Sequence, residues 1–231
     1  MQLGVAVPIS GSWATPANCL RVAARAEELG YSSLWTFQRL LSPLGDEGPV
    51  LAPQYRSVHD PLAVLAYLAG RTSGVRLGVA VANMPYYAPI VLAKMLTTID
   101  HLSGGRLDVG LGIGWLPEEL EAVGVEAARR GARAEDYLRC LAAVWDDDVV
   151  DYDGEFYRVP RSRVDPKPLQ RPHPPVLLGG GAEPALRRAG RAADGWISSS
   201  QADLTRIDQS IATVRAAAVE AGRDPERLRF V

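Results

Sequence analysis

The chain has 231 residues, of which 47% are hydrophobic and 23% charged, and this composition excludes a disordered or fibrous protein. Its 25 Lys and Arg against 27 Asp and Glu give a formal net charge of −2, so no electrostatic feature favours binding to nucleic acid or to a membrane surface. A chain of this length can bury roughly 70–75% of the surface that its unfolded form exposes, which is enough for one large core.

The two cysteines and the N-terminus indicate a reducing, intracellular setting. Cys19 and Cys140 lie far apart within helical patterns and form no C-x-x-C motif, so we expect two buried thiols in a cytoplasmic protein. The first basic residue is Arg21, and no apolar run reaches the ~18–20 residues of a membrane helix. We therefore expect neither a signal peptide nor a membrane span.

Apolar runs and helical patterns alternate along most of the chain. The predicted strands are residues 3–8, 33–37, 75–82, 106–113, 176–178, 196–199 and 228–231. The predicted helices are residues 16–29, 61–69, 117–123, 132–145, 183–193 and 204–221, with one more that begins at Pro89. Thr15 before Pro16 and Asp60 before Pro61 are typical helix starts. Strands that are apolar throughout and are each followed by a helix indicate a parallel sheet covered by helices.

One segment interrupts this alternation. Residues 149–157 alternate in polarity about Asp153-Gly154, which predicts a β-hairpin, and a loop rich in proline and arginine follows over residues 160–175. Residues 42–57 form a second predicted loop. We interpret residues 1–231 as a single domain with an insertion at about 148–175.

The strand count fits either a doubly wound sheet or a (β/α)8 TIM barrel. The first βα turn carries only Gly11, where a doubly wound fold would place its phosphate loop. Glycines instead follow the fourth and fifth strands, which suits a barrel whose loops face one site. We therefore expect a TIM-type α/β barrel with a hairpin insertion, apparently without its last βα unit.

Several common kinds of active site are absent from the sequence. His59, His101 and His173 show no metal-ligand spacing, so we expect no metal site. Neither a G-x-S-x-G elbow nor a G-x-x-x-x-G-K-[ST] loop occurs. Glu118 and Glu119 follow Pro117, where carboxylates ordinarily favour the first turn of a helix.

Two glycine-rich stretches are candidate binding elements. Residues 110–114 read G-x-G-x-G, which either packs a strand closely or lets a flat ring approach the backbone. Gly179-Gly180-Gly181 lies between a strand and a helix, where it is either a tight turn or a phosphate-binding loop. Arg133, at the start of a helix, would neutralise the same phosphate or else be a solvated surface charge.

Taken together, these residues resemble the bacterial-luciferase-like flavin and deazaflavin oxidoreductases, especially the branch of probable coenzyme F420-dependent oxidoreductases. The similar stretches are LGVAVANMP (77–85), APIVLAK (88–94), LSGGRL (102–107) and GLGIGW (110–115). Further similarity lies at residues 33–35, 131–137, 154–157, 168–181 and 193–196. The resemblance covers nearly the whole chain in order.

This resemblance implies a TIM barrel that binds coenzyme F420, or alternatively FMN, and transfers a hydride to or from a small organic substrate. It places a cis peptide between Ala80 and Val81 behind the cofactor ring. The other cofactor-binding residues that it implies are Gln38, Asn83, Gly112, Gly114, Trp115, Arg133, Gly179, Gly180 and Gly181. A homodimer is expected by the same resemblance.

The sequence departs from the family pattern after the second strand. Many deazaflavin-dependent members have Asp-His where this chain has Gln38-Arg39, and neither residue is a base at neutral pH. Gln38 is thus a weak catalytic candidate, and the catalytic acid or base is not identified. The alternatives to an F420-dependent oxidoreductase are an FMN-dependent monooxygenase and an incomplete, non-catalytic barrel that serves as a partner subunit.

Overall fold

The computed structural model of the chain describes residues 2–46, 48–199 and 202–231. In chain order its strands are β1 (Gly4–Ala6), β2 (Ser33–Thr36), β3 (Leu44–Gly45), β4 (Gly48–Pro49), β5 (Arg76–Asn83), β6 (Leu107–Gly112), β7 (Val150–Asp153), β8 (Arg158–Ser162), β9 (Val176–Gly179), β10 (Gly195–Ile197) and β11 (Arg229–Phe230). Its α-helices are α1 (Pro16–Glu28), α2 (Pro61–Ala69), α3 (Pro89–Leu102), α4 (Pro117–Ala122), α5 (Arg130–Asp146), α6 (Glu183–Ala192) and α7 (Ile207–Glu220).

Seven of the strands form one curled parallel sheet in the order β1-β2-β5-β6-β9-β10-β11. These are the seven strands predicted from the apolar runs, and the α/β fold is confirmed. The order is sequential, with β1 and β11 at its two edges. No helix within the described ranges is both long and apolar enough to cross a membrane.

The helix starts follow from local chemistry. The Thr15 hydroxyl accepts a hydrogen bond from the Asn18 amide (3.1 Å), and the Asp60 carboxylate accepts one from the Ala63 amide (2.8 Å). Each bond satisfies a main-chain donor that the first helical turn leaves free. The predicted starts of α1 and α2 are thereby confirmed.

The two faces of the sheet differ in chemistry. Leu34, Leu77 and Leu107 lie in register across β2, β5 and β6, and all three are fully buried in the core. The residue after each of them points to the opposite face, since side chains alternate along a strand. There the ring of Trp35 lies against Gly78, where a side chain would overlap it.

On this same face of the sheet, one buried carboxylate pairs with two partly exposed arginines. The Asp108 carboxylate is fully buried and accepts hydrogen bonds from Arg76 (2.5 and 2.9 Å) and from Arg229 (2.6 and 3.0 Å). This cluster joins β5 and β6 to β11, the edge strand.

The hairpin prediction is confirmed, but its boundaries were wrong. Residues 154–157 connect β7 to β8, so Phe156 and Tyr157 lie in the turn rather than in the second strand. Their amides donate to Asp136 of α5 instead of to a partner strand. The second strand consequently starts later and runs through Pro160, within the segment that was predicted as a loop.

The predicted loop at residues 42–57 also contains short elements. Strands β3 and β4 pair antiparallel, and a 3₁₀ turn covers Pro53–Arg56. Glu47 lies outside the described residues.

Candidate cofactor site

The carboxyl ends of three neighbouring strands meet at the side chain of Val81. The Ala80–Val81 peptide bond is cis, as the resemblance implies, and the register between β5 and β6 shifts at this point. A Cβ at Gly112 would lie 2.6 Å from Val81 Cγ2, and a Cβ at Gly179 would lie 3.0 Å from Val81 Cγ1. The structure thus brings Val81, Gly112 and Gly179 together, and glycine leaves room for the Val81 methyl groups at both positions. We call these three residues the Val81 platform.

A hydrogen-bonded chain holds the end of β5 beside this platform. Gln38 is buried, and its Oε1 accepts a hydrogen bond from the Asn83 amide (2.7 Å) while its Nε2 donates to the Tyr87 hydroxyl (2.6 Å). Asn83 Oδ1 in turn accepts from the Gly114 amide (3.0 Å). Both ends of the Gln38 amide are therefore engaged within the protein, which makes Gln38 an anchor between β2 and β5.

Trp115 lies in a group of aromatic and charged side chains, of which the sequence analysis proposed only Trp115 as a cofactor-binding residue. Trp115 is 62% exposed, and the Arg39 guanidinium lies 5.0 Å from the centre of its ring. Arg39 also pairs with Glu119 (2.9 Å), which is 1% exposed and accepts further hydrogen bonds from the Leu40 amide and from the Tyr86 hydroxyl (2.6 Å each). Burial and the Glu119 carboxylate raise the pKa of Tyr86.

Sequence reasoning missed Glu119 because the first turn of α4 is an ordinary place for a carboxylate. Glu119 does lie in that turn, as predicted. What the sequence could not show is that the loop after β2 folds back over α4 and buries the carboxylate.

Arg133 lines a narrow cavity of about 10 Å³ beside the loops that follow β5 and β6. The cavity is mostly apolar, and its lining residues are Met84, Pro85, Ile113, Leu120, Val125, Glu126, Arg130, Arg133, Ala134 and Tyr157. The Arg133 guanidinium lies 4.6 Å from the centre of the Phe156 ring, and Arg129 lies 5.1 Å from the same ring. Three arginines thus cluster at the start of α5.

The glycine turn after β9 lies in a different cavity. Gly180 has φ +124°, which requires glycine, and its carbonyl accepts a hydrogen bond from Trp196 Nε1 (2.8 Å). A Cβ at Gly181 would meet open space, and Gly181 lines a solvent-open cavity of about 390 Å³ that is also lined by Arg206. Arg133 and Gly181 line different cavities, and a phosphate bound by both stays a prediction.

A buried arginine lies between these two regions. Arg188 of α6 pairs with Glu135 of α5 (3.6 Å), and its Nη2 would lie 2.8 Å from a Cβ at Gly131. Gly131 in the first turn of α5 thereby allows α5 and α6 to approach. Within the described ranges, no cluster of three or more His, Cys, Asp or Glu side chains could hold a metal ion.

With this geometry in place, comparison with known proteins identifies the family. The family model for luciferase-like monooxygenases matches residues 1–231. The chain belongs to this family. An uncharacterised protein of Mycobacterium tuberculosis is 35% identical over 233 residues, which cover 97% of this chain and 80% of that protein. The FMNH2-dependent dimethylsulfone monooxygenase of Pseudomonas putida is 32% identical over 167 residues, which cover 71% of this chain and 46% of that enzyme.

Solved structures of enzymes share the fold. The monooxygenase RslO1 from Streptomyces bottropensis superimposes with a TM-score of 0.83 at 27% identity, over 97% of this chain and 68% of that one. An F420-dependent secondary alcohol dehydrogenase, solved with an F420–acetone adduct, gives a TM-score of 0.84 at 20% identity, over 99% of this chain and 67% of that one. The second likeness shows the shared fold alone.

Proposed function

We propose that this protein is an F420-dependent oxidoreductase that transfers a hydride between the cofactor and a small organic substrate. The observation that carries the proposal is the Val81 platform, where the partly exposed Val81 side chain packs over two glycines at the ends of β5, β6 and β9. The partly exposed Val81 side chain would support one face of a planar ring system, because glycine at 112 and 179 lets its methyl groups lie close against the strand ends.

The residues present fit a cofactor with an anionic tail. Arg129, Arg130 and Arg133 cluster at the start of α5, and Arg130 and Arg133 line the apolar cavity. Guanidinium groups bind phosphate strongly, and a helix start adds favourable main-chain dipoles. Coenzyme F420 carries carboxylates beyond its phosphate, so this basic cluster favours it over the less anionic FMN.

The cofactor, when bound, supplies the site of hydride transfer in its ring. The protein positions that ring: Val81 supports one face, and the Gln38–Asn83–Gly114 chain fixes the end of the strand that presents Val81. Trp115, held against Arg39, is an exposed wall that would cover the substrate and exclude water.

A second candidate function is that of an FMN-dependent monooxygenase. The observation that favours it is the 32% identity to the FMNH2-dependent dimethylsulfone monooxygenase. Its binding site would use the same Val81 platform and the same arginines, so cofactor binding decides between the two functions.

The test is a parallel fluorescence titration with F420 and with FMN, each oxidised and reduced. F420 is expected to bind with a Kd of about 1 µM or lower and FMN more weakly. Arg133→Ala is expected to weaken F420 binding by about 1.5–3 kcal/mol, the range for hydrogen bonds to charged groups. Arg25→Ala is the matched control, because Arg25 is an exposed arginine on α1. Tight binding of FMN alone would favour the monooxygenase, and binding of neither would contradict both functions.

A further inference from the structure

The turn of the β7–β8 hairpin is fastened to α5 by one buried carboxylate. Asp136 is 1% exposed and accepts hydrogen bonds from the Phe156 amide (2.7 Å), the Tyr157 amide (3.1 Å) and the Tyr152 hydroxyl (2.5 Å). Two consecutive amides that donate to one carboxylate oxygen fix the path of the turn. Asp136 therefore determines where the turn lies against the helix.

The turn fits closely over this carboxylate because it contains Gly154. A Cβ at Gly154 would overlap Asp136 Oδ1, and it would lie 2.6 Å from the Tyr152 ring. Gly154 therefore allows the main chain to contact the carboxylate directly, and the turn has little freedom to shift.

The fastened turn places an aromatic ring beneath two cations. The Phe156 ring lies 4.6 Å from the Arg133 guanidinium and 5.1 Å from that of Arg129. Arg129 also pairs with Glu155 of the same turn (2.5 Å). Among the residues that the structure describes, no carboxylate forms an ion pair with Arg133, and its buried Nε has no hydrogen-bond partner.

This arrangement orients a cation without neutralising it. A carboxylate partner would fix the guanidinium but would also compete with a bound anion. An aromatic ring attracts the cation through its quadrupole and adds no negative charge. Arg133 is thus held in place with its positive charge available toward the cavity that it lines.

We propose that Asp136 is a positioning residue for anion binding: through the turn at residues 154–157 and the Phe156 ring, it aims Arg133 at the phosphate of the cofactor. This inference rests on the proposed function, since it presumes that a phosphate-bearing cofactor occupies the site. It assigns to the hairpin turn a part in cofactor recognition, although the turn itself need not touch the cofactor.

The test measures how strongly each variant prefers a cofactor that carries a phosphate. The probes are FMN against riboflavin, and F420 against the deazaflavin that lacks the phosphate-bearing tail. Asp136→Ala removes both carboxylate oxygens and with them the hydrogen bonds from the Phe156 and Tyr157 amides, whereas Phe156→Leu removes the ring but keeps these main-chain hydrogen bonds. Each variant is expected to lower the phosphate preference about three- to tenfold, the range for a cation held over an aromatic ring. Affinity for the phosphate-free form should stay within about twofold of wild type.

Two further variants complete the design. Asp153→Asn is the control, because Asp153 lies in the same hairpin but is 77% exposed, and it should keep the wild-type preference. In the double variant Asp136→Ala/Arg133→Ala, the preference should equal that of Arg133→Ala alone, since both changes act through one guanidinium.

The other outcomes separate the two levels of the proposal. If Arg133→Ala loses the phosphate preference while Asp136→Ala and Phe156→Leu keep it, the inference is wrong and the phosphate role of Arg133 stands. An equal loss of affinity for both forms of the cofactor in both variants would make Asp136 merely structural and would also overturn the inference. If wild type and Arg133→Ala show the same preference, the phosphate role within the proposed function is itself wrong.

Discussion

Replacing Gly112 with alanine tests the Val81 platform directly. The new methyl group would lie 2.6 Å from Val81 Cγ2 and 2.8 Å from Asn83 Oδ1, both well inside van der Waals contact. Overpacking of this kind costs about 1–3 kcal/mol. Displacing Asn83 would also weaken its hydrogen bond from the Gly114 amide, which contributes about 0.5–1.5 kcal/mol. We expect a total loss of about 2–4 kcal/mol, or roughly 5–15 °C in Tm for a chain of this size.

The assay combines thermal denaturation with fluorescence titration of F420. Because the methyl group shifts the surface on which the ring would rest, Gly112→Ala should also weaken cofactor binding about tenfold or more. Gly70→Ala is the control, since its Cβ would come no closer than 4.0 Å to any neighbour, and it should change stability by less than about 0.5 kcal/mol. Adding Val81→Ala to Gly112→Ala should recover part of the lost stability. Wild-type cofactor affinity in Gly112→Ala would refute the placement of the ring.

Three further predictions concern stability and reactivity. Asp108→Asn should cost about 1.5–3 kcal/mol in urea unfolding because it weakens the charged hydrogen bonds from Arg76 and Arg229, which stay partly exposed to water, and an unchanged stability would contradict this. Burial raises the pKa of Glu27, but three main-chain amides that donate to its carboxylate outweigh this and hold the pKa below its usual value. The stabilisation by the Glu27 carboxylate is therefore present above the unfolded pKa of about 4.3 and is lost as pH falls through the folded pKa. The difference in unfolding free energy between wild type and Glu27→Gln should close below about pH 4. A difference that stays constant with pH would contradict this prediction. Burial raises the pKa of Cys140 to about 11, so its thiol should react with Ellman's reagent at pH 8 only after unfolding, and rapid reaction of that thiol in the folded protein would contradict its burial.

The strands and helices could be predicted from sequence because their signals are local. A threonine or aspartate before a proline marks a helix start through bonds that span three residues, as at Thr15 and Asp60. Apolar runs mark buried strands in the same way. The cis bond at Ala80–Val81 has no such local signal, and it was anticipated through family resemblance alone.

The candidate site could be predicted only in part, because its geometry depends on contacts between distant segments. The hairpin turn was misplaced since Asp136, some twenty residues earlier, binds the amides of Phe156 and Tyr157. Glu119 occupies a sequence position that is typical of a surface carboxylate, but Arg39, eighty residues earlier, pairs with it and covers it. Partners at such separations leave no periodic pattern in a single sequence.

The measurement that tests the central claim most directly is a crystal structure of the protein with oxidised F420. Our account predicts the ring in van der Waals contact with Val81, at about 4 Å, and the phosphate in hydrogen-bond contact with Arg133, at about 3 Å. A cofactor bound away from Val81, or a phosphate bound by other residues while Arg133 stays over Phe156 without a ligand, would contradict it.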